Sequence, residues 1–162
     1  MKPILALIDF SDTTPGLLET AAELATGLGR DMVVLHVADP ASADEPGDDS
    51  AIADEEPGVA EGRELRVGRR KLRIIELELK RRGLRATTLL VPPAGTRQSP
   101  AGLIVEQIGR LTPGFVVVGS HEHGRLYQML VGGVAQEVLR GSRCPVVIVP
   151  AVMSNTGTGT VS

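Results

Sequence analysis

The sequence predicts a single α/β domain, a doubly wound parallel sheet of five strands with helices on both faces. Three observations lead there. Short continuous apolar runs, such as residues 4–8 and 115–118, read as strands buried on both sides, because nothing polar alternates within them. These runs alternate with stretches whose apolar residues recur at helical spacing, the pattern of strand-helix-strand units joined by right-handed crossovers. Apolar residues make up 42% of the chain but aromatics only 2%, so the core must be layers of Leu, Val, Ile and Ala. At 162 residues the chain has room for one such core and no second domain.

The elements follow in order. The first strand, ILALI at residues 4–8, stops at Asp9. Thr13 or Thr14 can cap the next helix, with Pro15 in its first turn, where a missing N–H costs nothing, and Gly27 and Gly29 at its close. Leu17, Ala21, Leu24 and Leu28 place one face of that helix on the sheet. Residues 32–37 form the second strand. Residues 39–58 then turn to Asp, Glu, Ala, Pro and Gly with no periodic stripe, which predicts a loop, mobile over residues 44–58. From 59 to 82, Leu65, Leu72, Ile75 and Leu79 return to one face of a long helix ending at Gly83.

The other face of that helix is crowded with Arg63, Arg66, Arg69, Arg70, Lys71, Arg73, Lys80, Arg81 and Arg82, whereas the loop before it holds Asp44, Glu45, Asp48, Asp49, Asp54, Glu55 and Glu56. The two can neutralise each other. The face is read as solvated and answered by the acidic loop, with an anionic-partner surface as the alternative.

Residues 86–91 form the third strand, ended by Pro92-Pro93-Ala94-Gly95. Ser99 and Pro100 are the cap and first position of a helix to about Arg110, with Leu103, Ile104 and Ile108 inward. The fourth strand, 115–118, is followed by a glycine-bearing loop from Gly119 to about Tyr127. A helix with Leu130, Val134 and Val138 on its stripe leads to Gly141, and residues 145–150 form the fifth strand. The domain therefore spans 1–150, and 151–162 hold too little apolar surface to be ordered.

Composition excludes several classes. The one cysteine, Cys144, leaves no internal disulfide, and the N-terminus lacks the pattern of a secretory signal. No apolar run approaches the roughly 18 residues that cross a bilayer. A cytoplasmic protein is expected. A formal net charge of −3 argues against a dedicated nucleic-acid binder.

In a doubly wound sheet, ligands sit where the strand order reverses, beside the carboxyl ends of the strands. The loops after the first and fourth strands flank that point. The first carries Asp9-Phe10-Ser11-Asp12, whose Asp9 carboxylate can take hydrogen bonds from a sugar or amide, or can instead cap its own loop. The second carries Gly119-Ser120-His121-Glu122-His123-Gly124, with Gly132-Gly133 beyond, where helix-start N–H groups favour phosphate oxygens. His121 and His123 are read as loop polarity, since a structural metal site wants four ligands at recognisable spacing. No Ser-His-Asp ordering or paired carboxylates stand out, and Cys144 is read as packed. The chain is not read as an enzyme.

Taken together, ILALIDFSD, a second strand ending LHV before Asp39-Pro40, and VVVGSHEHGRLYQMLVGGVAQEVLRGSRCPVVIVP resemble the universal stress proteins from Lys2 to Pro150. The resemblance implies the strand order 3-2-1-4-5 of adenine-nucleotide alpha-hydrolase-like folds and a role in stress response. It also implies a homodimer, taken here to pair through the last strand, and, in one branch, binding of ATP or AMP, with magnesium able to bridge the phosphates. That branch carries Gly, two residues, Gly, nine residues, Gly, then Ser or Thr. Gly119 and Gly132 match the first and third glycines, while Glu122 and Gly133 stand where the second glycine and the hydroxyl belong. Asp9 matches the acidic residue closing the first strand, and Val37 the second-strand end whose backbone meets adenine. The cofactor-binding set is thus Asp9, Val37, Gly119, Gly132 and Gly133. The rival reading is a dimeric scaffold without nucleotide, acting through protein partners; slow ATP hydrolysis is a third.

Overall fold

Side chains on a strand point alternately to opposite faces, and the first strand divides the core accordingly. In the computed structural model, which describes residues 1–38, 62–92, 99–120 and 133–150, β1 (Ile4–Leu7) is buried along its whole length. Ile4 and Ala6 enter one apolar layer with Leu17, Ala21, Ala25, Leu72 and Leu79, whereas Leu5 and Leu7 enter the other with Leu103, Ile104, Ile108 and Val138. The helices supplying the first layer are α1 (Thr14–Gly27) and α2 (Arg63–Arg81); α3 (Pro100–Leu111) and α4 (Gly133–Gly141) supply the second. This is the two-sided cover that uninterrupted apolar strands require.

The remaining strands are β2 (Met32–Val37), β3 (Ala86–Val91), β4 (Phe115–Gly119) and β5 (Val146–Val149). The sheet runs β3-β2-β1-β4-β5 with every neighbouring pair parallel. The predicted order is therefore the observed one. Leu7 lies opposite Leu35 of β2 on one side and Val118 of β4 on the other, which places the carboxyl ends of these three strands side by side.

Helix ends explain most of the boundary differences. Thr13 does stand at the N-cap of α1, but its backbone is helical and its side chain makes no capping bond. At the other end Gly29 takes φ +62, and the N–H groups of Gly29 and Arg30 return to the carbonyls of Thr26 and Ala25 at 3.2 and 2.8 Å, a Schellman closure. Gly83, at φ +82, closes α2 in the same way: its N–H bonds Lys80 O at 3.0 Å, and that of Leu84 bonds Leu79 O at 3.1 Å. A left-handed residue is needed at both positions, and glycine takes that conformation without a Cβ penalty. Ser99 caps α3 as predicted, its hydroxyl accepting from Gly102 N at 3.1 Å.

The long basic helix is described from Arg63. Residues 59–61 of the predicted span lie outside the described residues, as do the segments expected to be mobile at 44–58 and beyond 152. Leu72 and Leu79 are buried as expected, and Leu65 and Ile75 are half-buried. Glu64 in the first turn and Lys80 and Arg81 in the last complement the helix dipole. Glu76 is bound by Lys80 one turn on and accepts from Thr88 Oγ1 of β3 at 2.9 Å. These hydrogen bonds, Lys80 first, hold its carboxyl below the usual carboxylate range. Cys144 is half-buried against the α3–α4 layer. No helix among the described residues is long and apolar enough to cross a membrane.

Candidate functional site

Continuing the register of β1 past Leu7 brings Ile8 beside His36 and Asp9 beside Val37, with Gly119 next to Ile8 on the other flank. Ile8 N–H bonds Leu35 O at 3.0 Å, so the pairing persists beyond the formal strand end. Adjacent strands lie about 4.8 Å apart, so Asp9 and Val37 form a row at the carboxyl edge, with Gly119 one position behind it on the other flank. The chain leaves β1 toward α1 on one face and β4 toward α4 on the other. The row thus sits at the switch point of the sheet.

The loop after β1 is tied around Asp9. Its Oδ1 accepts from Ser11 N–H at 3.0 Å, from Ser11 Oγ at 2.5 Å and, at 3.4 Å, from Thr14 Oγ1. The first of these is an Asx turn, so the loop-capping role is realised. It also fixes the carboxylate, which remains exposed at the mouth. Ser11 gives its proton to Asp9, so the 2.7 Å contact between Ser11 Oγ and Thr13 Oγ1 has Thr13 as donor.

Phe10, between these residues, has φ +60, a conformation that costs a bulky side chain strain. Its ring packs on His36, centroids 4.2 Å apart, and Lys71 of α2 lies 5.0 Å from the ring centre. His36 Nδ1 is 3.0 Å from Ile8 O; a carbonyl only accepts, so that nitrogen carries the hydrogen. The strained turn that presents Asp9 is therefore wedged from β2 and α2.

On the other flank, Gly119 faces Thr13. A Cβ at this glycine would lie 3.5 Å from Thr13 Oγ1 and 3.9 Å from Leu17 Cδ1, ordinary contact distances. Crowding by the described protein atoms thus does not demand glycine here. Ser120 is buried, and its N–H continues the ladder to Val149 O at 2.9 Å. Gly133 opens α4 and is exposed. Gly132, Glu122, His121 and His123 lie outside the described residues.

The structure thus brings together Asp9, Val37 and Gly119 of the predicted set and adds Phe10, Ser11 and Thr13. Only Asp9 and its neighbours were legible as a loop; no local signal marks Phe10 for a left-handed backbone or His36 as its support. Among the described residues no cluster of His, Cys, Asp and Glu could hold a metal ion. A cavity of about 550 Å³ opens at the opposite end of the sheet, lined by Met1, Pro3, Asp31, Val33, Arg85 and Thr87 among others. It is rimmed by the exposed Asp31–Arg85 pair and lies away from the switch point, so the row at Asp9 is the better candidate.

A family model described as the universal stress protein family matches residues 1–150. No curated protein matches the chain. Among solved structures, a universal stress family protein from Burkholderia pseudomallei is 26% identical, with 93% of this chain and 96% of that one covered and a TM-score of 0.63. The universal stress protein from Archaeoglobus fulgidus in complex with dAMP is 19% identical, covering 91% and 97%, with a TM-score of 0.62. A universal stress protein in complex with cAMP is 18% identical, covering 92% and 97%, with a TM-score of 0.61.

Proposed function

The chain belongs to the universal stress protein family, and from that premise we propose that its switch-point crevice takes an adenine nucleotide, AMP in preference to ATP, as the signal of a stress-response regulatory protein. The observation that carries this reading is that Asp9 and Val37 stand side by side at adjacent strand ends with Gly119 one position behind on the third strand, and that Ser11 already fixes the carboxylate. In this reading Asp9 accepts from the ribose or base, and the backbone of Val37 meets the adenine edge. The backbones of Gly119, Gly132 and Gly133 approach ribose and phosphate, the last at the start of α4, where helix N–H groups favour anions. The similar structures with dAMP and cAMP bound support the choice of ligand class.

Calorimetric titration with AMP tests it. Binding is expected, and Asp9→Asn should weaken it about tenfold, since hydrogen bonds to a charged group contribute about 1.5–3 kcal/mol. Asparagine keeps an acceptor for Ser11 N–H, so the turn should survive and the loss report the charge. If the parent binds no adenine nucleotide, the scaffold reading replaces this one.

The same protein is proposed to act as a homodimer through β5. This strand ends the sheet, its four residues are all half-buried, and Val147 shares a groove of about 430 Å³ with Thr20, Leu24 and Leu28 of the α1 segment. An apolar edge strand invites pairing, and a two-fold contact covers it on both chains at once. Light scattering should return twice the 17.0 kDa of one chain at micromolar concentration; a monomer mass removes the claim.

A further inference from the structure

The outward face of α2 carries a pattern that solvation alone does not account for. Gly68, Leu72 and Leu79 are buried toward the sheet, and at about 100° per residue the opposite side of the helix is where Val67, Ile74 and Leu77 fall. They are 37%, 57% and 44% exposed, three of the few large apolar side chains left open among the described residues. Their spacing, seven and then three, is that of one heptad seam. Arg70 stands at the intervening seam position and Arg81 at the next one beyond Leu77; Arg66, Arg73 and Lys80 line one flank, and Lys71 and Glu78 the other, all exposed.

We propose that this seam docks a partner helix of acidic amphipathic character, with apolar residues at its own a and d positions and Asp or Glu at e and g. From Val67 to Leu77 the ridge is about 15 Å long, three turns of helix; Arg66, Arg73 and Lys80 border one side and Lys71 the other, where Glu78 is the one acidic residue, so acidic flanks of a partner meet mostly cations. The long stems of Arg70 and Arg81 can lie along a partner's apolar surface while their heads reach its carboxylates.

Other occupants fit less well. A second copy of α2 would set Arg66, Arg73 and Lys80 against one another if antiparallel, and Arg66 against Lys71 if parallel, with only Arg73 meeting an opposite charge, at Glu78. An anionic membrane takes a broad apolar face, whereas here arginines interrupt a single narrow ridge. Nucleic acid has no use for an apolar ridge beneath its phosphates. The chain's own residues 44–56 bring seven carboxylates but Ile52 as their one large apolar residue.

The test uses the full-length protein and a labelled synthetic peptide of three heptads with Leu at a and d and Glu at e and g, followed by fluorescence anisotropy. Saturable binding that weakens with salt is expected, and a peptide with Lys at e and g should not bind. Ile74→Ala with Leu77→Ala, and separately Arg70→Glu with Arg73→Glu, should each reduce affinity at least about tenfold. All four positions are exposed, so both variants should melt like the parent; Arg70→Gln with Arg73→Gln serves if charge reversal lowers the melting point. The proposal is overturned if the peptide does not bind at micromolar concentrations or if either pair leaves affinity within twofold. It also falls if phosphatidylglycerol vesicles, a DNA duplex or a peptide of residues 44–58 binds the same face more tightly than the probe.

Discussion

Leu5→Ala is expected to destabilise the fold by about 3–5 kcal/mol, the upper part of the range for a buried leucine. Leu5 is fully buried on the central strand, hydrogen-bonded to β2 on one side and β4 on the other. It belongs to the layer that holds Leu35, Ile104, Ile108 and Val116. A cavity there cannot close by a shift of the strand, because β1 is held in register from both flanks. Two strand positions away Leu7 does the same work nearer the edge, so the loss has no neighbour able to fill it. Domains of this kind have about 5–15 kcal/mol in total, so the variant should stand near its folding limit. Urea denaturation measures it: the midpoint should fall with the slope unchanged. A loss under about 1 kcal/mol would mean that the α3–α4 layer repacks freely, contrary to the two-sided burial described above.

That burial was legible in the sequence because it is written in short-range patterns. The runs at Ile4 and Phe115 have no polar alternation and are too short for helices, which is the pattern of strands covered on both sides, and crossover handedness with the family resemblance then gave the order. Ser99-Pro100 marked its helix start correctly because the cap bond is local, one hydroxyl to an N–H three residues on. The same logic failed at Thr13. There the hydroxyl is drawn instead to Ser11, which is itself engaged by Asp9, so a loop network outcompeted the helix cap. Phe10 was invisible for a different reason. Its left-handed backbone is held by His36, 26 residues away, and by Lys71, farther still, contacts that exist only once β1, β2 and α2 are assembled. Asp9 was legible as a site residue by its place at a strand end, but what fixes its carboxylate was not.

The phosphate end of the proposed nucleotide crevice gives the second large effect. The double variant Glu122→Gly, Gly133→Ser should bind ATP about ten- to a hundredfold more tightly than the parent in the absence of metal, while AMP affinity changes much less. The resemblance aligns the nucleotide-binding branch's glycine pattern with Gly119 to Gly133, and in that alignment Glu122 stands where a glycine would let backbone approach phosphate. A carboxylate about 4 Å from one phosphate charge costs roughly 1 kcal/mol in water and about 4 kcal/mol near a protein surface, and the penalty grows with each added charge. Restoring a hydroxyl at 133 adds about 1 kcal/mol, since the N–H there already serves. For the parent, the same argument orders the ligands: AMP above ATP without metal, with magnesium raising ATP by placing positive charge between carboxylate and phosphates. Titration of both proteins with AMP and ATP, each with and without magnesium, reads all of these at once. A parent that prefers ATP over AMP without metal would sink the electrostatic account, because Glu122 would then have to point away from the phosphates. A double variant that gains equally for both nucleotides would place the effect in backbone approach, not in charge.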